Sequence, residues 1–248
     1  MKKYLLQKNY SGIKVISGAG IVLVAGSVPV WILFGLSGFG SEDLAIRLVL
    51  LSLLIGGAAF IDDLAGSGQF RGFKGHFDAL CRGFLTTGAF KAAVSAATVS
   101  IVFAGWRGLS LMTLVEVMLV LSVINLFNLL DLRPGRTLKV FIFFSLIIAL
   151  SFPIFQLYFL PLYIIIILYL PFELREQVML GDTGANFLGL VVGFSLAVRV
   201  GSVLKLTVLF FSAALNLLSE RYSFTEIIAG NRVLSFLDQL GRVEKREE

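Results

Sequence analysis

The sequence predicts an all-α, polytopic membrane protein: a bundle of about eight transmembrane helices whose cytoplasmic loops form the functional site. Of its 248 residues, 57% are hydrophobic and only 15% are charged, and the mean hydropathy is +0.91. A soluble domain is usually about half apolar and about a quarter charged. A transmembrane helix needs about 20 mostly apolar residues, and the chain contains several runs of this kind.

Eight apolar segments are predicted to cross the membrane. The two that meet at Pro153 are also compatible with one bent segment, and Pro161 is expected to kink the sixth span. The predicted spans are residues 15–37, 44–61, 88–105, 109–130, 138–152, 154–171, 184–200 and 203–218. We expect one integral membrane domain over residues 1–248, with the bundle at 15–218 and a cytoplasmic amphipathic helix and charged tail at 219–248.

The basic residues predict a multi-pass protein of the cell membrane with both termini in the cytoplasm. Lys and Arg accumulate on the cytoplasmic side of membrane proteins. If the N-terminus is cytoplasmic, four of the 21 Lys and Arg residues fall on the other side: Arg47, Arg107, Arg199 and Lys205. The net charge of +5 is therefore a topology signal, and we expect no nucleic-acid partner.

Two segments outside the spans have amphipathic patterns. In residues 69–86, apolar positions recur at three- and four-residue steps between basic residues, which is typical of a helix at anionic headgroups. A loop packed on the bundle is the alternative. Ser223 and Glu226 have the spacing of a capping box, and apolar positions follow, so an amphipathic helix is predicted to end near Gly241, docked on the bundle or on lipid.

Three polar islands lie at span ends on the predicted cytoplasmic side: Asp62-Asp63, residues 125–131 and residues 181–186. Mg²⁺ binds a few carboxylates and completes its shell with water and substrate phosphates. Gly181 and Gly184 flank Asp182 where a helix begins, and such backbone N–H groups favour anions. Each island alone has a simpler interpretation, such as a solvated boundary or a turn. Together they predict one site for a divalent cation and a phosphorylated ligand.

The second island has two interpretations. Asn125, Asn128 and Asp131 share one helix face because they are three residues apart. Their side chains could bind a phosphate, a sugar hydroxyl or a base. Alternatively, the Asn amides hold helices together within the membrane.

Other ionisable residues add little. His76 and Cys81 are the only residues of their types, so a zinc site and Cys/His catalysis are poorly supported. Lys74 is a candidate phosphate contact as a point charge. Glu116 lies inside the fourth span, where a carboxylate is a functional candidate by default. Snorkelling outward is the favoured explanation, since no basic partner is evident from sequence.

Several strings at these islands carry a family resemblance: FIDDLAG followed by GFKGH, then INLFNLLD and MLGDTGANFLG. With them, the chain resembles the polyprenyl-phosphate N-acetylhexosamine-1-phosphate transferase superfamily. This superfamily includes phospho-N-acetylmuramoyl-pentapeptide transferase and undecaprenyl-phosphate GlcNAc-1-phosphate transferases. The string NYSGIKVISGAGIVL resembles the opening of the family's second span, so the match covers most of the chain from about Asn9 and indicates a short, divergent member.

The resemblance implies transfer of a sugar 1-phosphate from a UDP-sugar to undecaprenyl phosphate at the cytoplasmic face, in cell-wall or surface-polysaccharide synthesis. Mg²⁺ would be the cofactor and UMP the released product. By resemblance, Asp182 would bind the metal, and Asp62 and Asp63 would be catalytic, one of them as a base. The implied substrate contacts are Lys74 to phosphate, and Asn125, Asn128 and Asp131 in the nucleotide-sugar pocket.

The chain departs from the family pattern near the nucleotide-sugar end. The family usually reads Asn-Leu-x-Asp-Gly-x-Asp-Gly, whereas Pro134 stands here at the second Asp position. Residues 224–242 contain no histidine, although typical members have a His-rich loop there. The basic residues that follow, Arg133, Arg136 and Lys139, either replace lost donor contacts or serve only topology.

These departures leave more than one function open. The leading hypothesis is a phosphosugar transferase with a divergent donor. The alternative is a non-catalytic relative that binds polyprenyl phosphate or a cell-wall enzyme, and a homodimer is also left open. A transporter built around Glu116 is the third class, although a transport site is expected near the membrane midplane and the other carboxylates lie at span ends.

Overall fold

The computed structural model describes residues 6–8, 12–65 and 72–242. It is 79% helical and 3% strand. The helices are α1 (Ile21–Ser37), α2 (Glu42–Ala65), α3 (Gly72–Cys81), α4 (Thr87–Arg107), α5 (Leu111–Leu130), α6 (Arg136–Ser151), α7 (Ile154–Leu174), α8 (Gly181–Arg199), α9 (Ser202–Ser219), α10 (Phe224–Gly230) and α11 (Arg232–Gln239). The strands are β1 (Leu6–Lys8) and β2 (Lys14–Ile16).

The predicted all-α, polytopic membrane fold is confirmed. Among the described residues, α2, α4, α5, α7, α8 and α9 are long and apolar enough to cross a membrane, and α1 is a shorter apolar helix. The predicted spans overlap α1, α2 and α4 to α9, although residues 15–20 are strand and turn. Helix α6, at the predicted span 138–152, is not among the helices long and apolar enough to cross a membrane. The segments at Pro153 are two helices, because α6 stops at Ser151 and Pro153 is the residue that precedes α7.

Helix α8 is the buried centre of the bundle. It packs against α1, α2, α5 and α6. Within its most apolar 18-residue stretch, 83% of the residues are buried, compared with 11% in the same stretch of α9. Small residues allow the close approach: a Cβ added to Gly189 would lie 2.8 Å from the Cα of Ile124 in α5. In lipid, helix association depends on such packing rather than on a hydrophobic driving force.

The bundle has two polar ends. We call the end where α1, α4, α6 and α8 begin the site end, and the other the opposite end. At the opposite end, Glu116 in α5 forms a buried ion pair with Lys205 in α9, and Arg107 Nε lies 3.9 Å from Glu116 Oε2. Sequence analysis found no basic partner for Glu116 and favoured snorkelling; the structure shows the partner, which is 89 residues away in the chain.

A small hairpin closes the site end. β1 and β2 pair antiparallel, and β2 continues into a parallel bridge between Ile16 and Val178. The backbone N–H groups of Ala19 and Gly20 donate to the carbonyls of Met179 (3.1 Å) and Leu180 (2.9 Å). The chain entering α1 is therefore tied to the chain entering α8.

The amphipathic helix predicted after the last span is present but broken in two. Ser223 caps α10, as its spacing predicts, by accepting from the N–H of Glu226. The chain then turns at Asn231, whose side chain caps α11 by accepting from the N–H groups of Val233 and Leu234. Of the predicted amphipathic segment 69–86, α3 covers Gly72–Cys81, and residues 66–71 lie outside the described ranges.

We expect Gly20→Ala to destabilise the protein. A Cβ at Gly20 would lie 2.6 Å from the N of Gly184 and from the carbonyl oxygen of Leu180, where backbone cannot move aside. Such overpacking costs about 1–3 kcal/mol. Thermal unfolding in detergent should show a lower midpoint for Gly20→Ala, whereas the control Gly57→Ala in α2, with nothing within 4 Å of the new methyl group, should keep its midpoint. Equal midpoints would contradict the close α1–α8 contact.

Candidate functional site

The structure joins the first and third polar islands. The carboxylate of Asp63, near the end of α2, accepts hydrogen bonds from the N–H groups of Asp182 (3.0 Å) and Thr183 (2.9 Å) and from the Thr183 hydroxyl (2.5 Å). The first N–H groups of a helix lack partners within it, and the residue before α8, Leu180, provides no side-chain cap. Asp63 is only 6% exposed and caps α8 from a different helix.

The flanking glycines are explained by this contact. Gly18 and Gly181 both have φ +70°, and a Cβ at Gly181 would lie 2.6 Å from the N of Gly18 and 2.8 Å from Asp63 Oδ1. Gly184 packs on Gly20 at the start of α1. In this structure the glycines of the third island therefore make room for backbone and for Asp63.

Beside Asp63, three charged side chains from three helices meet. The Nζ of Lys91, in the second turn of α4, lies 3.0 Å from Asp62 Oδ2 and also forms an ion pair with Asp182. Lys91 and Asp62 side chains are each 13% exposed, and that of Asp182 is 35% exposed. We call Asp62, Lys91 and Asp182 the charged triad; it is open to ligands chiefly through Asp182.

Sequence analysis did not select Lys91 as a site residue. Lys91 counted there only as one of the basic residues that set the orientation, although it lies within the largely apolar helix Thr87–Arg107. A charged residue in such a helix is a functional candidate by default. That rule would have selected Lys91 from the sequence. It would not have identified the partner Asp182, which is 91 residues away in the chain.

Two members of the triad, Asp62 and Asp182, carry carboxylates, which are the type of ligand that a magnesium ion prefers. Asp62 and Asp182 are close enough to share one cation, because the Lys91 ammonium already contacts both. Within the described ranges, no group of three or more His, Cys, Asp or Glu residues is arranged to hold a metal. Mg²⁺ commonly needs only one or two carboxylates beside waters and substrate phosphates. Asp62 and Asp182 would hold it, whereas the Asp63 oxygens are already occupied by α8.

The second island divides between packing and the site end. The Asn125 amide donates to Asn216 Oδ1 in α9 (3.1 Å), and Asn216 donates back to the carbonyl of Ser122 (2.9 Å). Asn125 thus holds α5 to α9, as the helix-packing interpretation describes. The Oδ1 atom of Asn128 is buried and has no hydrogen-bond partner among the described residues.

Asp131 lies at a small recess at the site end. Residues lining the recess include Asp131, Arg133, Pro134 and Glu173. Burial and then the nearby Glu173 charge raise the pKa of Asp131 well above its usual range, and Asp182 and Asp63 add to this effect. Glu173 is 2% exposed and accepts from the Gly135 N–H at 2.7 Å. All three islands therefore share one end of the bundle.

Lys74 is in α3, but its side chain lies outside the described part of the structure.

The basic residues after α5 hold the C-terminal segment. We call residues 224–242 the C-terminal latch. Arg136, 4% exposed, grips Asp238 of α11 with two hydrogen bonds, Nε to Oδ1 (2.7 Å) and Nη2 to Oδ2 (3.0 Å). Arg242 Nη2 lies 2.9 Å from Asp238 Oδ1, and its Nε donates to the Pro134 carbonyl. Lys139 donates to three carbonyls at the end of α11. This docking role was neither of the two predicted for Arg136 and Lys139.

None of the family models, curated proteins or solved structures compared with the chain matches it. Any functional proposal therefore rests on the fold, the arrangement of these residues and the resemblance of the strings that contain them.

We predict that Asp63→Asn lowers stability more than Asp62→Asn does. The amide would turn an N–H₂ group toward the N–H groups of α8, and hydrogen bonds to a charged acceptor contribute about 1.5–3 kcal/mol each. Thermal unfolding in detergent tests this, with the exposed Asp78→Asn as the control. An Asp63→Asn midpoint equal to that of the control would show that the cap is dispensable.

We also predict that acid releases the C-terminal latch. Burial opposes ionisation of Asp238, but the hydrogen bonds and charges of Arg136 and Arg242 outweigh it and lower the pKa of Asp238 below its usual 3.8. A carboxylate with a lowered folded-state pKa stabilises docking fully above pH 3.8 and loses this contribution as the pH falls through the lowered value.

Hydrogen exchange of α11 as a function of pH measures this release. Protection should be lost in the acidic range in the parent protein. In Asp238→Asn, protection should be weak at every pH, whereas Asp78→Asn should behave like the parent. A parent protein whose α11 keeps its protection in acid would contradict the prediction.

Proposed function

We propose that this protein is a membrane-embedded phosphosugar transferase, which moves a sugar 1-phosphate from a UDP-sugar to a polyprenyl phosphate such as undecaprenyl phosphate. The supporting observation is the convergence of Asp62, Lys91 and Asp182 from three helices at one end of the bundle. Two of these residues lie in strings that resemble the transferase superfamily. Cell-wall or surface-polysaccharide synthesis is the corresponding cellular role of this glycosyltransferase class.

The reaction proposed is an in-line displacement. A phosphate oxygen of the lipid attacks the phosphorus that carries the sugar, the bond from this phosphorus to the bridging oxygen breaks, and UMP leaves. A phosphate monoester has a second pKa of about 6, so its oxygen is ionised at neutral pH. The attack therefore needs little help from a base, and a base role of Asp62 would be limited to removing a residual proton.

The triad residues then have distinct roles. Lys91 places a positive charge where the diphosphate would lie, next to the two carboxylates. Asp62 and Asp182 would hold Mg²⁺, which when bound offsets negative charge on the phosphates. Charge stabilisation of this kind is usually the largest part of catalysis. Asp63 acts as a positioning residue, because it fixes the start of α8 and thereby the Asp182 backbone.

We further propose that the site end faces the cytoplasm, where UDP-sugars are made. The excess of Lys and Arg at this end supports the orientation. Both termini would then be cytoplasmic, since the site end carries both the N-terminal hairpin and the C-terminal latch.

A non-catalytic relative that binds a polyprenyl phosphate is the second candidate. It is favoured by the ionic contacts within the triad, where Lys91 is already paired with both carboxylates. The latch also engages Arg136 and Lys139, which are therefore not free for a sugar donor. Such a protein would bind the lipid phosphate through Lys91 without turnover, and it would act through a cell-wall enzyme or a second copy of itself.

The transferase is tested by UMP release from purified protein with undecaprenyl phosphate, Mg²⁺ and a panel of UDP-sugars. We expect release with at least one donor, and a loss of about 100-fold or more in Asp182→Asn and in Lys91→Gln. Asp78→Asn, which changes an exposed carboxylate in the same way, should keep full activity.

Lipid binding separates the two candidates when no UMP appears. Binding of undecaprenyl phosphate that depends on Lys91, by folded protein that releases no UMP with any donor, would replace the transferase by the binding protein. Release that is unchanged in both Asp182→Asn and Lys91→Gln would show that the charged triad is not the reacting site.

A further inference from the structure

The C-terminal latch presents an apolar face to its surroundings. Val233, Phe236, Leu237 and Leu240 follow the three- and four-residue spacing of one helix face. Their exposures are 67%, 65%, 50% and 52%, and no residue of α10 or α11 is buried. The latch is therefore held to the bundle by its polar edge, while at least half of each side chain on its apolar face is exposed.

The attachment of the latch carries excess positive charge. The side chains of Arg136 and Arg242 pair with the carboxylate of Asp238, and Lys139 donates to the backbone carbonyl of the same residue. Lys139 donates only to uncharged carbonyl groups there, at 2.6 to 3.1 Å. Positive charge beside an exposed apolar helix face is typical of binding to anionic headgroups.

The position of the latch matches the edge of the lipid-facing surface. Lys139 lies in the first turn of α6, and Phe143, Ile147 and Leu150 continue the same helix face at about four-residue steps. These three side chains are 60%, 47% and 80% exposed. Because Lys139 binds the carbonyls of Leu237 and Leu240, the end of α11 lies where the apolar stripe of α6 begins.

We propose that the latch is a lipid-binding element, which lies on the bilayer surface at the site end with its apolar face among the acyl chains. The excess positive charge of Arg136, Lys139 and Arg242 attracts the headgroup phosphates of anionic lipids to the latch. The partner is thus the surface of an anionic membrane. The continuity with α6 favours lipid over a second copy of the chain, because a lipid-facing stripe extends directly to the latch. This inference does not depend on the proposed transferase activity.

Spin labels on full-length protein in vesicles test the proposal. In a Cys81→Ser background, one label replaces Phe236 on the apolar face, and a matched label replaces the exposed Gln239 at the polar border of that face. The vesicles contain phosphatidylcholine alone or mixed with phosphatidylglycerol. Collision with lipid-soluble oxygen and with a water-soluble nickel complex reports where each label lies.

We expect the Phe236 label to favour oxygen over the nickel complex several-fold more than the Gln239 label does. Phosphatidylglycerol should increase this difference, and Lys139→Gln should reduce the increase. Free inorganic phosphate should not compete, because it lacks acyl chains.

Three results would overturn the proposal. A Phe236 label as open to the nickel complex as the Gln239 label would place the face in water. Spin–spin broadening between Phe236 labels would assign the face to a second copy. If the preference of the Phe236 label for oxygen does not change with phosphatidylglycerol, the anionic headgroup does not contribute to binding.

Discussion

The site end depends on one interaction, the carboxylate of Asp63 bound to the first N–H groups of α8. Those groups would otherwise lie without partners at the start of the most buried helix, and unsatisfied backbone groups in a membrane cost several kcal/mol each. Asp63 supplies the acceptor from α2, so the ends of two helices are fixed together. Gly18 and Gly181 leave the space that this contact requires. The position of Asp182, and hence the geometry of the charged triad, follows from it.

Other charged contacts also link helices. Lys91 joins α4 to α2 and α8 at the site end, while Glu116 and Lys205 join α5 to α9 at the opposite end. A buried charge without its partner is costly, so removing one member of such a pair leaves the other uncompensated. The packing of α8 on α5 rests instead on glycine, because apolar side chains gain little from leaving lipid. Close packing at glycine holds the helices together in the middle of the bundle, and ion pairs hold them together at its two ends.

The same physics explains why the two Asp residues of the first island differ. Asp63 points into the start of α8, where its oxygens are already used, whereas Asp62 turns toward Lys91 within the charged triad. Adjacent residues on a helix point about 100° apart, so one position can be structural and the next available to a ligand. The resemblance implied catalytic roles for both. In the proposed transferase, Asp62 keeps a reacting position, whereas the hydrogen bonds of Asp63 to α8 make it a positioning residue.

The sequence by itself determined the all-α membrane fold, the positions of the helices and the convergence of the three islands at one end. Hydropathy and span order are local properties of the chain, and each island could be placed from the segment that carries it. Only the tertiary structure decided the partners. Lys91 with Asp182, Lys205 with Glu116 and Arg136 with Asp238 are 91, 89 and 102 residues apart. Such pairs depend on the rotation of each helix about its axis, which side-chain packing sets and hydropathy does not encode.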